Sequence, residues 1–198
     1  MHILFKNTNI DETKLKITKY KKGNIIFNDG DICDNLGLVI SGSIRIVTNT
    51  FTENEFEINR INENGIFGNN ILFTNSPIYL GTGIAIKETS IIYIRKQELI
   101  KLFKNEEFLI NYLKLTSTQT RQIQRKIKVL SQTSIRDKIM FLLYDNYFHN
   151  KNRDYFIKSK INFANFINCT RPSLSRELIN LKKEGIIDYD RYKITLLK

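Results

Sequence analysis

Ser173, Arg176, Asn180 and Lys183 fall together on one face of a helix that begins at Arg171, while Leu174, Leu178 and Leu181 stack on the other. Arginine at such positions can donate paired hydrogen bonds to guanine O6 and N7 in the major groove of DNA, a contact worth roughly 1–3 kcal/mol of discrimination. Arg171, Ser173 and Arg176 are therefore the expected base readers. The stretch from Asn168 to Leu178 reads as the turn and second helix of a helix-turn-helix, ending seven residues before a strand at Gly185-Ile186-Ile187. Asn168 suits a left-handed turn position, Thr170 a helix cap, and Pro172 the first helical turn, where its missing N–H costs nothing. Ser159 can cap a short preceding helix that turns Phe163, Phe166 and Ile167 inward. Ser159, Lys160, Thr170, Ser175 and Lys183 are expected to position phosphates. From Gly185 to Lys198 apolar and polar residues alternate around Asp190-Arg191, which predicts a β-hairpin wing with Arg191 and Lys193 near the DNA backbone.

These residues need a scaffold. Ser134 followed by Asp137 reads as a capped helix start after a hinge at 131–134, with Ile135, Ile139, Leu142 and Leu143 on the helix and a polar connector from Asn146 to Arg153. Upstream, from about Gln97 to Leu130, Leu109, Leu113, Thr116, Thr120, Ile123, Ile127 and Leu130 are spaced alternately by four and three residues. A seam that narrow suits pairing with an identical helix, so a homodimer is expected. The basic residues between Glu107 and Asp137 read as a solvated face.

From about Leu15 to Ile94 the chain runs in short β-prone stretches: Leu15–Tyr20, Asn24–Phe27, Leu36–Ile40, Ser43–Val47, Phe56–Ile61, Gly83–Ile86 and Ser90–Ile94. Turn residues at Gly23, Asp29-Gly30-Asp31, Ser41-Gly42 and Asn64-Gly65 separate them, the pattern of an all-β sandwich, roll or barrel able to enclose a ligand pocket. The interval Asn64–Ile86 carries no charge, and the pocket lining, drawn from Ile66 to Leu80, is expected to be apolar or neutral.

The chain has 198 residues and a formal net charge of +11, which favours a polyanion, double-stranded DNA first. From Gln132 to Lys198 there are 13 basic and 7 acidic residues, a net +6. The only histidines are His2 and His149 and the only cysteines Cys33 and Cys169. No metal site, cupin-type enzyme or Ser-His hydrolase can be assembled from them, and no enzymatic activity is expected. The N-terminus lacks a signal peptide's apolar core and the uncharged interval is broken by Asn, Gly and Pro, so a cytoplasmic location without membrane attachment is expected.

Four stretches together resemble the Crp/Fnr superfamily of bacterial transcription regulators over nearly the whole chain. They are Lys22-Gly23-Asn24-Ile25-Ile26-Phe27-Asn28-Asp29-Gly30-Asp31, Leu38-Val39-Ile40-Ser41-Gly42-Ser43-Ile44-Arg45, Ile66-Phe67-Gly68, and Thr170–Leu178 with Lys183-Glu184-Gly185-Ile186-Ile187. The resemblance implies an α+β architecture: a cyclic-nucleotide-binding-like β-roll or jelly-roll sensor domain (1–96), a long dimerisation helix (97–131) and a C-terminal winged helix-turn-helix (132–198). It further implies a homodimer that binds a palindromic promoter site, with recognition helices in successive major grooves roughly 34 Å apart, and RNA polymerase as a further partner.

The departures concern the signal. Cyclic-AMP-responding members carry Phe-Gly-Glu and, about ten residues later, an Arg-Ser pair; here Phe67-Gly68-Asn69 and Tyr79-Leu80 stand at those places, a degenerate effector pocket. Losing charged hydrogen bonds worth roughly 1.5–3 kcal/mol each predicts no cyclic-AMP response. Two cysteines cannot supply the four that oxygen-sensing relatives use for an iron-sulfur cluster. No cofactor is expected, although haem or another small effector stays open, with His2 as a weak haem-ligand candidate. A constitutively active regulator and a non-specific nucleic-acid-binding protein are the alternatives. Pro172 stands where the family often has Glu, so the DNA target should differ from that of the cyclic-AMP regulator.

Overall fold

The computed structural model describes residues 2–11, 15–49 and 55–197. The chain divides into two compact units, 1–118 and 119–198.

In the first unit the short apolar runs form β1 (Ile17–Tyr20), β2 (Ile25–Phe27), β3 (Asn35–Ser41), β4 (Ser43–Asn49), β5 (Glu55–Asn62), β6 (Ile66–Phe67), β7 (Thr82–Ala85) and β8 (Thr89–Arg95). They pair antiparallel into two sheets with strand orders β1-β8-β3-β6 and β2-β7-β4-β5. Phe27, Val39, Ile44, Ile61, Phe67 and Ile91 form one core cluster of this unit. The neighbours of Val39 and Ile91 along β3 and β8, Leu38 and Ile92, join a second cluster with Ile94, Leu4, Phe5, Leu99 and Phe108. Successive residues of these strands thus enter different cores. That is why β3 and β8 read as nearly unbroken apolar runs rather than as alternating ones. The two-residue β6, paired at Gly37–Phe67 and Leu38–Ile66, is too short for periodicity to reveal.

The helical stretch expected from 97 to 130 arrives as two helices, α1 (Lys96–Leu102) and α2 (Glu106–Leu130). The interruption lets Phe103 and Phe108 both turn inward, their ring centroids 6.3 Å apart, with Phe103 4.9 Å from Tyr112. Asn105 accepts the Phe108 N–H at 3.0 Å, satisfying one of the donors that a new helix start exposes.

The second unit contains α3 (Ile135–Asn150), β9 (Asp154–Phe156), α4 (Lys160–Phe166), α5 (Arg171–Lys183), β10 (Ile187–Tyr189) and β11 (Lys193–Leu196). Its core joins Val129, Ile139, Leu142, Leu143, Phe163, Ile167, Leu174, Leu178, Leu181 and Ile194. Ser134 and Asp137 form a reciprocal capping box at the start of α3. The polar connector expected from Asn146 is helical as far as Asn150. Asn146 stays in α3 because its amide donates to the carbonyls of Asn152 and Asp154 at 2.7 and 3.1 Å, and Lys151 ends the helix in the left-handed region. The hairpin expected from Gly185 onward gains a third strand, in the order β10-β11-β9. Thr195 and Lys193 of β11 donate to the Asp154 carboxylate of β9 at 2.7 and 3.2 Å, which holds that carboxyl below its usual range. Leu178→Ala removes a side chain with no exposure from the middle of this core. It should cost about 2–5 kcal/mol, read as an earlier thermal unfolding of the second unit by circular dichroism.

Candidate functional site

Two places combine unusual residue types with a built geometry, one in each unit. In the second unit, Ser159 caps α4 by accepting the Asn162 N–H, and Asn168 occupies the left-handed region with φ 54°. Thr170 then caps α5 by accepting the Ser173 N–H, with Pro172 in the first turn. Each turn and cap residue thus removes a specific backbone cost at the bend between the helices. Leu174, Leu178 and Leu181 are buried, whereas Arg171, Arg176, Asn180 and Lys183 are exposed. Among the described residues neither Arg171 nor Arg176 makes an ion pair. Ser173 is less free: its hydroxyl lies 2.8 Å from Thr170 Oγ1 and belongs to the cap. Ser175 is half-buried.

Lys160 at the start of α4 places its ammonium 4.4 Å from the centre of the Tyr189 ring in β10. Lys182 also approaches that ring, at 5.6 Å, and pairs with Asp188, whose carboxyl it holds below the usual range. Arg191, in the turn between β10 and β11, lies 5.1 Å from its neighbour Tyr192. These contacts fix where the positive charges project around α5.

One feature escapes sequence reasoning. Arg136, in the first turn of α3, donates from Nε to Glu177 at 2.9 Å and from Nη2 to Glu184. It ties the middle of α5 and the residue just past its end to the first turn of α3. The partners lie 41 and 48 residues away, and nothing in their local spacing announces them.

In the first unit a cavity of about 500 Å³ is lined by Tyr20, Ile26, Phe27, Asp31, Ile32, Asp34, Asn35, Phe67, Tyr79 and Tyr93. Gly37 and Gly83 make room for its rings: a Cβ on Gly37 would sit 2.0 Å from the Phe67 ring, and one on Gly83 would sit 2.4 Å from Phe27. Tyr79 stacks on Phe27 at 3.9 Å between ring centres, Phe27 on Phe67 at 5.4 Å, and Tyr93 meets Phe67 edge-on at 6.1 Å. The Tyr20 and Tyr93 hydroxyls are 2.8 Å apart. Burial pushes the Tyr79 and Tyr93 phenols well above their ordinary range and also raises the Cys33 thiol.

Of the five pocket residues expected from sequence, Phe67 and Tyr79 line the cavity. Gly68, at φ 82°, and Asn69 lie beside it in sequence but do not line it, and Leu80 is 77% exposed. The expectation of a neutral lining needs correction, because the turn between β2 and β3 brings in Asp31 and Asp34 from outside the uncharged interval. Among the described residues no lysine or arginine lines the cavity.

His2 is buried, with Nε2 3.3 Å from the Gly65 carbonyl and Nδ1 accepting the Leu4 N–H at 3.2 Å. Both ring nitrogens are occupied where they stand, which argues against an axial-ligand role. Among the described residues no group of three His, Cys, Asp or Glu side chains could hold a metal ion, and no helix is long and apolar enough to cross a membrane.

The seam residues of α2 are set apart from the side chains that α2 buries. Phe108 and Tyr112 enter the core of the first unit and Val129 that of the second. Leu113, Ile123 and Ile127 remain 52, 48 and 61% exposed. Leu109, Thr116 and Leu130 are half-buried and Thr120 is exposed. Thr116 donates to the Tyr112 and Leu113 carbonyls, so its hydroxyl is satisfied within the helix.

Residues 17–106 match the cyclic nucleotide-binding domain family. The chain is 26% identical over 179 residues to the anaerobic regulatory protein of Bacillus subtilis (strain 168), covering 87% of this chain and 75% of that protein. Among solved structures, OCPA-complexed CprK (C200S) superposes with a TM-score of 0.73 at 18% identity, covering 93% of this chain and 86% of that one. A CooA variant from Carboxydothermus hydrogenoformans gives 0.72 at 16% identity, covering 100% and 92%. At these identities the structural likeness speaks to the fold alone.

Proposed function

We propose that the chain is a member of the Crp/Fnr superfamily and a homodimeric transcription regulator that reads a palindromic promoter site with α5. It is a regulator and not an enzyme. The observation that carries the reading is α5 itself: capped by Thr170, buried on its leucine face, and presenting Arg171 and Arg176 to the outside. Arg171, Arg176 and, more weakly, Ser173 read bases. Ser159, Lys160, Thr170, Ser175, Lys183 and Arg191 position phosphates. The β-roll over 1–96 is the sensor, the stretch 97–131 carries the dimer seam, and 132–198 binds DNA. RNA polymerase is the partner downstream and the cytoplasm the place of action. Selection of bound duplexes from a randomised pool by the purified protein, at near-physiological salt, should enrich a palindrome with half-sites about one helical turn apart. Recovery of sequences with no shared motif and a steep salt dependence would instead mean non-specific binding.

The regulator does not respond to cyclic AMP. Tyr79 stands where the cyclic phosphate would need an arginine, its ring already stacked on Phe27. The charged residues lining the cavity are carboxylates, which repel a phosphate. Calorimetric titration with cyclic AMP should show no binding at micromolar concentrations.

A further inference from the structure

We propose that the cavity of the first unit binds a small organic cation with a flat apolar body, an arylalkylamine in chemical class. The inference concerns binding alone and stands apart from the reading of α5 as a DNA reader.

Three observations converge. The cavity, at about 500 Å³, has the size of a small-molecule site. Its walls are rings: Tyr20, Phe27, Phe67, Tyr79 and Tyr93 form a contiguous array, tied together by the stacking and the Tyr20–Tyr93 hydroxyl contact. The half-buried rings of Tyr20, Tyr79 and Tyr93 leave surface there for a planar apolar group, and the negative faces of such rings attract a cation. The ionisable groups add a sign. Asp31 and Asp34 are the carboxylates of the lining, among the described residues no cationic side chain lines the cavity with them, and the two phenols with raised pKa stay neutral at physiological pH.

The carboxylates keep capacity for a ligand. The Asp31 bonds, to the Asn28 N–H at 2.7 Å and the Asn28 amide at 3.2 Å, fall on Oδ2, and Asp34 accepts the Asn35 amide on Oδ1. Each group therefore has a second oxygen with lone pairs available for an ammonium. In a chain of net charge +11, a pocket of this sign selects against the anions that the rest of the molecule attracts.

The test uses the full chain without DNA and three probes that share a phenyl ring and a two-carbon arm: phenethylammonium, 2-phenylethanol and phenylacetate. Isothermal titration calorimetry should show saturable binding of one phenethylammonium per chain, with the alcohol at least tenfold weaker and phenylacetate not bound. The double variant Asp31→Asn, Asp34→Asn should weaken phenethylammonium at least tenfold while melting at the wild-type temperature. The ring variant Phe67→Leu should also weaken it and leave the preference for the cation intact. Equal or tighter binding of phenylacetate or phenylethanol, unchanged affinity in the double variant, or no saturation up to about 10 mM would overturn the proposal. None of these results bears on duplex selection, so the two readings fail separately.

Discussion

Arg176→Ala should lower the affinity of the dimer for its selected duplex by roughly thirtyfold or more, at about 1–3 kcal/mol for each guanine contact and two half-sites per duplex. Arg176 is exposed on α5, two residues after buried Leu174 and two before buried Leu178, so its Cα is held by the core while its guanidinium projects outward. Arg176→Lys is the informative companion. It keeps the charge but loses the planar fork, so discrimination at one base pair should fall while the salt dependence stays close to wild type. Lys183→Ala should behave oppositely, weakening all sequences about equally and reducing the salt slope. Fluorescence anisotropy with the selected duplex and its single-base variants checks all three.

Ile127→Asp should convert the dimer to monomers at micromolar concentration. Ile127 is more than half exposed, and a symmetric partner would bury it twice. Covering an isoleucine fully is worth roughly 1.5–3 kcal/mol, so covering the remainder of two contributes about 2–4 kcal/mol. Two carboxylates in the same seam add a desolvation cost on top. A dimer dissociation constant raised about a hundredfold is expected in sedimentation equilibrium, and duplex affinity should fall with it because a monomer meets one half-site. Thr118→Asp, an exposed position of α2 outside the seam, serves as the control and should leave the dimer intact. An Ile127→Asp protein that sediments as a dimer would place the interface elsewhere.

Local physics made much of this molecule legible. The caps at Ser134, Ser159 and Thr170, the left-handed Asn168 and the buried leucine face of α5 are decided within a few residues of each other, and each stands where the sequence predicts it. The strands of the first unit follow their apolar runs. What escaped is set by distant partners. β9 forms because β11 lies against it, the break at 103–105 because two phenylalanines share one core, and the Arg136 clamp because three elements meet. The charge of the cavity escaped for the same reason: the residues around Phe67 and Tyr79 in sequence are neutral, and Asp31 and Asp34 enter through the fold.

The ring array of the cavity also gives the protein a built-in optical gauge. The chain has nine tyrosines and no tryptophan, so no indole dominates its near-ultraviolet absorption or drains excitation from the phenols. Three of those nine, Tyr20, Tyr79 and Tyr93, face the cavity, and two of them share a hydroxyl contact. A molecule entering there perturbs a third of the chain's tyrosine chromophores at once, and occupancy becomes readable in near-ultraviolet circular dichroism without any label.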